Sequence, residues 1–204
     1  MVESLLAWLG GLHPLAIYGV IAFLAAIENV FPPFPADTGI ALGAFLSHRG
    51  LTDPWLVLAV TLTANIGGAM GMYFLAARHA PALFRSRIAR RYLTDDGMAF
   101  VRREYERFGV AGLFLGRLLP GFRAVVAPFA GLIHLGPLRA GVPMLLASAL
   151  WYGAIIFAAA QLGQHLEAVL GAVGEVNRVL ALVALAVVVG LATWVWRRWR
   201  RGPR

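Results

Sequence analysis

Apolar residues in this chain run on for longer than a soluble core helix needs. Trp55 to Ala77 holds 23 residues without a charge, roughly 34 Å as an α-helix and long enough to cross a bilayer core. Ala140 to Gly163 forms a second such run, and Val179 to Trp196 a third, shorter one. The pattern predicts three transmembrane helices at these positions.

Two further apolar stretches are interrupted near their middles. Leu15 to Leu46 is broken by Pro32, Pro33 and Pro35, in the run PPFP, and Gly109 to Leu135 is broken by Pro120 and Gly121. Proline removes a backbone donor and disfavours helix in the residue before it. Broken backbone at membrane depth survives only when buried in protein or lining a wet cavity. Both stretches are therefore expected to be re-entrant helical hairpins, entering from opposite sides. Between the spans, Thr94 to Gly109 reads as a short amphipathic helix, with Met98, Val101, Tyr105 and Phe108 on one face. It fits an interfacial helix on anionic lipid and a solvated connector equally well.

Composition sharpens the class. Of the 204 residues, 60% are hydrophobic and 14% charged, with a mean hydropathy of +0.74. A multi-span, all-α membrane protein follows, read as a single membrane domain. Its core covers 15–165, followed by a C-terminal transmembrane helix over 179–196 and a basic tail over 197–204. All 18 basic residues are Arg, and there is no Cys, which excludes disulfides, thiol catalysis and cysteine-ligated metals. The start, MVESLLAWLGGLHP, lacks a positive n-region and is not read as a cleaved signal peptide.

The net charge of +8 does not point to nucleic acid, because the arginines cluster beside apolar spans. They report topology instead. The closing WRRWRRGPR reads as a cytoplasmic anchor, and residues 78–108, with eight Arg against four acids, fall on the same side. Residues 164–178 and 47–54 then lie outside. The expected setting is the cytoplasmic membrane of a bacterium.

The chemistry gathers at the two breaks. ENVFPPFPAD carries Glu28 and Asp37 on either side of the first, and GRLLPGFR carries Arg117 and Arg123 on either side of the second. A charge at the membrane centre costs about 2.5–3.5 kcal/mol on insertion scales, and such charges usually face inward and pair. The two hairpin tips are therefore expected to meet near mid-membrane, in the arrangement of transporters built from opposed broken elements. Arginine's planar fork binds phosphate or carboxylate oxygens bidentately. Desolvation favours the neutral form of a carboxyl group, so the acids can carry a proton. The four residues read as an anion site with a proton switch, or alternatively as a salt-bridge cluster that only holds the hairpins together.

These same motifs carry a resemblance. Glu28 with FPPFPAD, GGAMGMYFLAAR (Gly67 to Arg78), GRLLPGFR and APFAGL resemble the DedA family, the bacterial branch of the VTT or SNARE-associated proteins. The likeness covers about residues 15–165, and R-x-x-P-G-x-R is its most specific part. Ala36 and Ala77 stand where the family commonly has Gly. The resemblance implies two opposed re-entrant hairpins. It also implies lipid transport, by flipping of undecaprenyl phosphate in bacterial members and phospholipid scrambling in eukaryotic relatives. The family's functional acids fall on Glu28 and Asp37 and its functional arginines on Arg117 and Arg123.

The expected function is thus a flippase moving a lipid phosphate, with undecaprenyl phosphate the first candidate. Arg117 and Arg123 would bind the phosphate, while Glu28 and Asp37 couple its release to protonation. A phospholipid scramblase and a proton-coupled ion transporter are alternatives. The expected partners are membrane lipid and protons, with homo-oligomerisation left open. Asn65 and Tyr73 on one span can reach the cavity, or serve as polar links between helices. Gly67 and Gly71 form GxxxG and read as a helix-packing face. Trp151 and Tyr152, mid-span, read as packing residues. The five His lack ligand spacing, so neither a metal nor another cofactor is expected. A lipid-phosphate hydrolase would want a nucleophile or base beside the arginines. GRLLPGFR contains no Ser, His or Lys, so no enzyme is expected.

Overall fold

The structure is a computed structural model. It describes residues 4, 8, 10–31, 36–85, 109–119, 122–161, 171–172, 174–183, 185–186, 189–190 and 193. All regular structure among them is helical. Helix α1 spans Pro14–Ile27, α2 Ala36–Phe45, α3 Pro54–Arg85 and α4 Gly109–Leu118, followed by α5 Arg123–Leu132 and α6 Pro137–Gln161. A 3₁₀ turn, Leu46–Arg49, follows α2 and ends at Gly50, whose φ of +68° is left-handed. The described residues among 174–193 are helical as well.

Local signals account for the helix starts. Pro14 opens α1, where its missing N–H costs nothing, and His13 Nδ1 accepts from the Leu15 N–H at 3.3 Å. Asp53 precedes α3 and its carboxylate accepts from the Leu56 N–H at 2.9 Å. The two uninterrupted runs become α3 and α6, each long and apolar enough to cross a membrane. Only 22% of the apolar window of α3 is buried, leaving Phe74, Leu75 and Trp55 exposed. An apolar surface of that kind is suited to lipid rather than water.

The two interrupted runs become pairs of shorter helices, α1 with α2 and α4 with α5. At 1.5 Å per residue α1 reaches about 21 Å and α2 and α5 about 15 Å each, short of the roughly 30 Å hydrocarbon core. Two separate apolar clusters organise the packing. One joins α1 and α2 to the first half of α3 and the second half of α6, through Ile17, Ile21, Ile40, Val57, Tyr152 and Ile156. The other joins α4 and α5 to the second half of α3 and the first half of α6, through Leu113, Val126, Ala69, Tyr73 and Met144. The long helices thus run antiparallel, with one short-helix pair against each half.

Between the clusters lies a polar layer. Asn65 is the twelfth residue of the 26-residue stretch Pro54–His79, and Ser148 is the twelfth of the 25-residue α6. The layer therefore sits near mid-span on both.

Several expectations fall outside the described residues: the breaks at Pro32, Pro33, Pro35, Pro120 and Gly121, the amphipathic segment up to residue 108, and the tail over 197–204. The GxxxG expectation is corrected. A Cβ added at Gly67 or Gly71 meets nothing within 4 Å, so among the described residues that face packs on no helix of this chain. The close crossings use Gly68 and Gly131. A Cβ at Gly68 would lie 3.1 Å from the Ala26 carbonyl oxygen of α1, and one at Gly131 would clash with the Tyr73 carbonyl of α3. The α3 sequence holds all three glycines within five residues, and helical phase decides which one faces a neighbour.

These contacts predict opposite outcomes for like substitutions. Gly131→Ala should lower stability by about 1–3 kcal/mol through overpacking against rigid backbone. Gly67→Ala should be neutral or stabilising by up to about 1 kcal/mol, from helix propensity alone. Thermal melting of the detergent-purified variants reads both.

Candidate functional site

The site is assembled where both broken runs end against the polar layer. Glu28 directly follows α1, and its neighbour Asn29 completes that helix end. Asn29 Nδ2 donates to the carbonyls of Ala25 and Ala26 at 3.2 and 3.3 Å and to the Asn65 carbonyl at 3.0 Å. The last carbonyls of a helix lack intrahelical partners, and here a side chain supplies one. Asn65 Nδ2 also donates to the Ala25 carbonyl, at 3.1 Å. Asp37 stands in the first turn of α2. Arg117 lies near the end of α4 and Arg123 starts α5.

The structure brings Glu28, Asp37, Arg117, Arg123 and Asn65 together, and it separates the two arginines by role. Arg117 is 5% exposed and, among the described residues, hydrogen-bonds only to neutral acceptors. Its Nε donates to Ser148 Oγ at 2.9 Å and its Nη2 to Asn65 Oδ1 at 2.7 Å and Asn29 Oδ1 at 3.4 Å. Its Nη1 donates to the Arg123 carbonyl at 3.3 Å and to Met144 Sδ at 3.8 Å. Every nitrogen of this guanidinium is engaged, and one contact ties the two flanks of the second break to each other.

Arg123 is different. Its Nη1 alone serves both acids, donating to Glu28 Oε1 at 2.6 Å and Asp37 Oδ1 at 3.3 Å. Its Nε and Nη2 make no hydrogen bond among the described residues. The guanidinium lies over Trp151, 5.1 Å from the ring centroid, a cation–π arrangement. Glu28 Oε2 accepts from the Tyr152 hydroxyl at 2.6 Å. Asp37 also accepts from Trp151 Nε1 at 3.2 Å and Asn177 Nδ2 at 3.0 Å.

Beside this cluster lies a recess of about 190 Å³ lined by Asn65, Arg117, Arg123, Ala147, Ser148, Trp151 and Tyr152. Among the described residues its lining holds both arginines and no carboxylate. Much of that space is open to the outside, and the enclosed part has room for about one water. An anion entering there would meet Arg123, whose Nη1 is held by Glu28 and Asp37.

Tyr73 stands apart from this recess. Its hydroxyl donates to the Leu135 carbonyl and fastens α3 to the α5–α6 turn. Trp151 and Tyr152, expected as packing residues, bond directly to Asp37 and Glu28. Asn29, Ser148 and Asn177 join them as site residues that the sequence pattern does not single out. Ser148, Trp151 and Tyr152 recur at three- and four-residue steps in a run without a charge, and that polar stripe was the available signal. Among the described residues no group of three His, Asp or Glu is placed to hold a metal ion.

Comparison with known proteins agrees with the class this fold implies. An alkaline phosphatase-like protein of Lactococcus lactis subsp. cremoris is 24% identical over 188 residues, covering 89% of this chain and 87% of its own length. An uncharacterized membrane protein of Mycobacterium bovis is 28% identical over 172 residues, covering 80% and 77%. One from Synechocystis is 28% identical over 120 residues, covering 58% and 54%. No protein-family model and no solved structure matches the chain. The protein is a helical membrane protein with homologues across distant bacteria.

The network predicts where stability resides. Asn65→Leu keeps the branched shape, with bulkier methyl groups, but strips the shared acceptor from Arg117 and Ser148 and a donor from Tyr152. It should cost about 2–4 kcal/mol. Tyr73→Phe, which removes one hydrogen bond outside the cluster, should cost about 1 kcal/mol. Parallel melting of the two variants provides the check.

Proposed function

We propose that this chain is a lipid-phosphate transporter of the DedA type, moving a polyprenyl phosphate such as undecaprenyl phosphate across the cytoplasmic membrane. The observation that carries this reading is the recess lined, among the described residues, by two arginines and no acid, where the Arg123 guanidinium has two nitrogens without a hydrogen bond to them. A phosphate ester presents oxygens that match the guanidinium fork. The lipid tail needs no dedicated pocket, since it can trail along the exposed apolar faces of α3 and α6. The short helices support re-entrant hairpins, because none of the three measured above spans the hydrocarbon core alone and the charges collect where they end. The positive-inside count supports a cytoplasmic C-terminus.

Competition for Arg123 sets the sign of proton coupling. An ionised Glu28 or Asp37 holds Nη1 and opposes an incoming anion. A protonated acid relaxes that hold and favours anion binding, and deprotonation favours release. This order reverses the one expected from the sequence, where protonation was tied to release. Arg117 acts as a positioning residue: its nitrogens brace the site and leave Arg123 to meet the ligand.

A hydrolase is the second reading, favoured by the phosphatase-like name of the Lactococcus relative. Ser148 is the hydroxyl nearest the arginines, but it accepts from Arg117 and donates to Asn65 Oδ1 at 3.0 Å. Among the described residues no base hydrogen-bonds to it to take its proton, so transport is the better account.

Reconstitution into liposomes containing a polyprenyl phosphate or a glycerophospholipid tests the proposal. Lipid movement without release of inorganic phosphate is expected, and phosphate release would establish the hydrolase. Arg123→Lys should fold yet lose transport by roughly tenfold or more, because an ammonium lacks the planar fork. Arg117→Lys should instead melt lower, since three donors replace five. Glu28→Gln should remain folded while its transport stops responding to a proton gradient. A pH-responsive Glu28→Gln protein would remove the coupling from the account.

A further inference from the structure

Asn177 lies beyond the two broken runs, on the C-terminal helix, yet it reaches the site. Its Nδ2 donates to Asp37 Oδ2 at 3.0 Å, while its Oδ1 is buried without a hydrogen-bond partner. Over residues 174–183 only Asn177 and Leu180 are partly buried, and all other described side chains are exposed. Glu175 and Arg178 pair with each other at the surface, 3.8 Å apart. The helix segment therefore rests on the body through a narrow stripe, and its polar attachment among the described residues is the bond to Asp37. Asp37 in turn is the more weakly held partner of Arg123, at 3.3 Å against 2.6 Å for Glu28.

We infer that Asn177 is a positioning residue that latches Asp37 against Arg123, so that the C-terminal helix sets how readily a phosphate enters the site. This deepens the transport reading and rests on it for the identity of the ligand. With Asn177 in place, Asp37 is held from three sides, by Arg123, Trp151 and Asn177. Without it, Asp37 yields more easily to a phosphate, and after release it returns to Arg123 less firmly. Binding tightens and turnover slows. A purely structural contact would instead lower stability and impair binding and turnover together.

The test uses the full chain in detergent, titrated calorimetrically with inorganic phosphate and with dodecyl phosphate. Asn177→Leu should bind its probe roughly five- to tenfold tighter than wild type, within the net worth of one ordinary hydrogen bond. In liposomes it should show a lower KM together with a lower kcat. The probe that shows the tightening identifies the ligand as free phosphate or as a lipid headgroup. Unchanged or weaker binding overturns the latch. If the Leu variant melts far below wild type, Asn177→Ala replaces it in the same comparison. If wild type binds neither probe, the transport reading fails by itself, and melting of Asn177→Leu, Asp37→Asn and their double variant judges the latch. A double variant no less stable than Asp37→Asn alone keeps it, and additive losses overturn it.

Discussion

Everything in this structure turns on how two guanidinium groups are kept inside an apolar body. A charge at membrane depth costs about 2.5–3.5 kcal/mol even on lenient scales. The chain offsets that cost in two ways. Arg123 is neutralised by carboxylates from the facing helix pair, at 2.6 and 3.3 Å. Arg117 is surrounded by amide, hydroxyl, carbonyl and thioether acceptors supplied by four different helices or their ends. The first arrangement depends on ionised partners that can gain protons. The second depends on neutral groups that cannot. One arginine therefore sits in a changeable environment and the other in a fixed one, and that difference is the basis for giving them different work.

The fold follows from the same requirement. Glu28, Asp37, Arg117 and Arg123 lie at helix ends, where the backbone turns and side chains from consecutive helices can converge. Two uninterrupted helices hold these ends in register by presenting Asn65 and Ser148 at equivalent depth. Asn65 has the most central position, since it links α1, α6 and Arg117 at once. Gly68 and Gly131 then let α1 and α5 approach α3 closely enough for side chains as short as Asn29 to bridge the gaps.

Much of this was legible in the sequence because it is written in patterns that act at short range. Charge-free runs of sufficient length gave α3 and α6, and proline and glycine marked where the other two runs divide. Four charges in greasy surroundings had few partners except one another, so their meeting could be anticipated. Pairing within the cluster could not. Which arginine faces the acids depends on the three-dimensional phase of α4 and α5, and spacing across a break carries no phase. Trp151 and Tyr152 look like packing residues in one dimension because amphipathic side chains serve both purposes. Asn177 is a lone amide in a distant segment, with no local pattern to connect it with Asp37. The GxxxG reading failed for a related reason: the motif names a helix face but not the neighbour that face must meet.

The central claim is that Arg123 presents its open edge to a phosphate while Arg117 keeps its neutral cradle. An experimental structure of the full chain with dodecyl phosphate tests this most directly. The account predicts a phosphate in the recess within hydrogen-bond reach of Arg123 Nε or Nη2. Asp37 should be moved away from Arg123, and Arg117 should still bond to Asn65 and Ser148. A phosphate held by Arg117 with those bonds broken, or bound elsewhere while Arg123 keeps both acids, would contradict it.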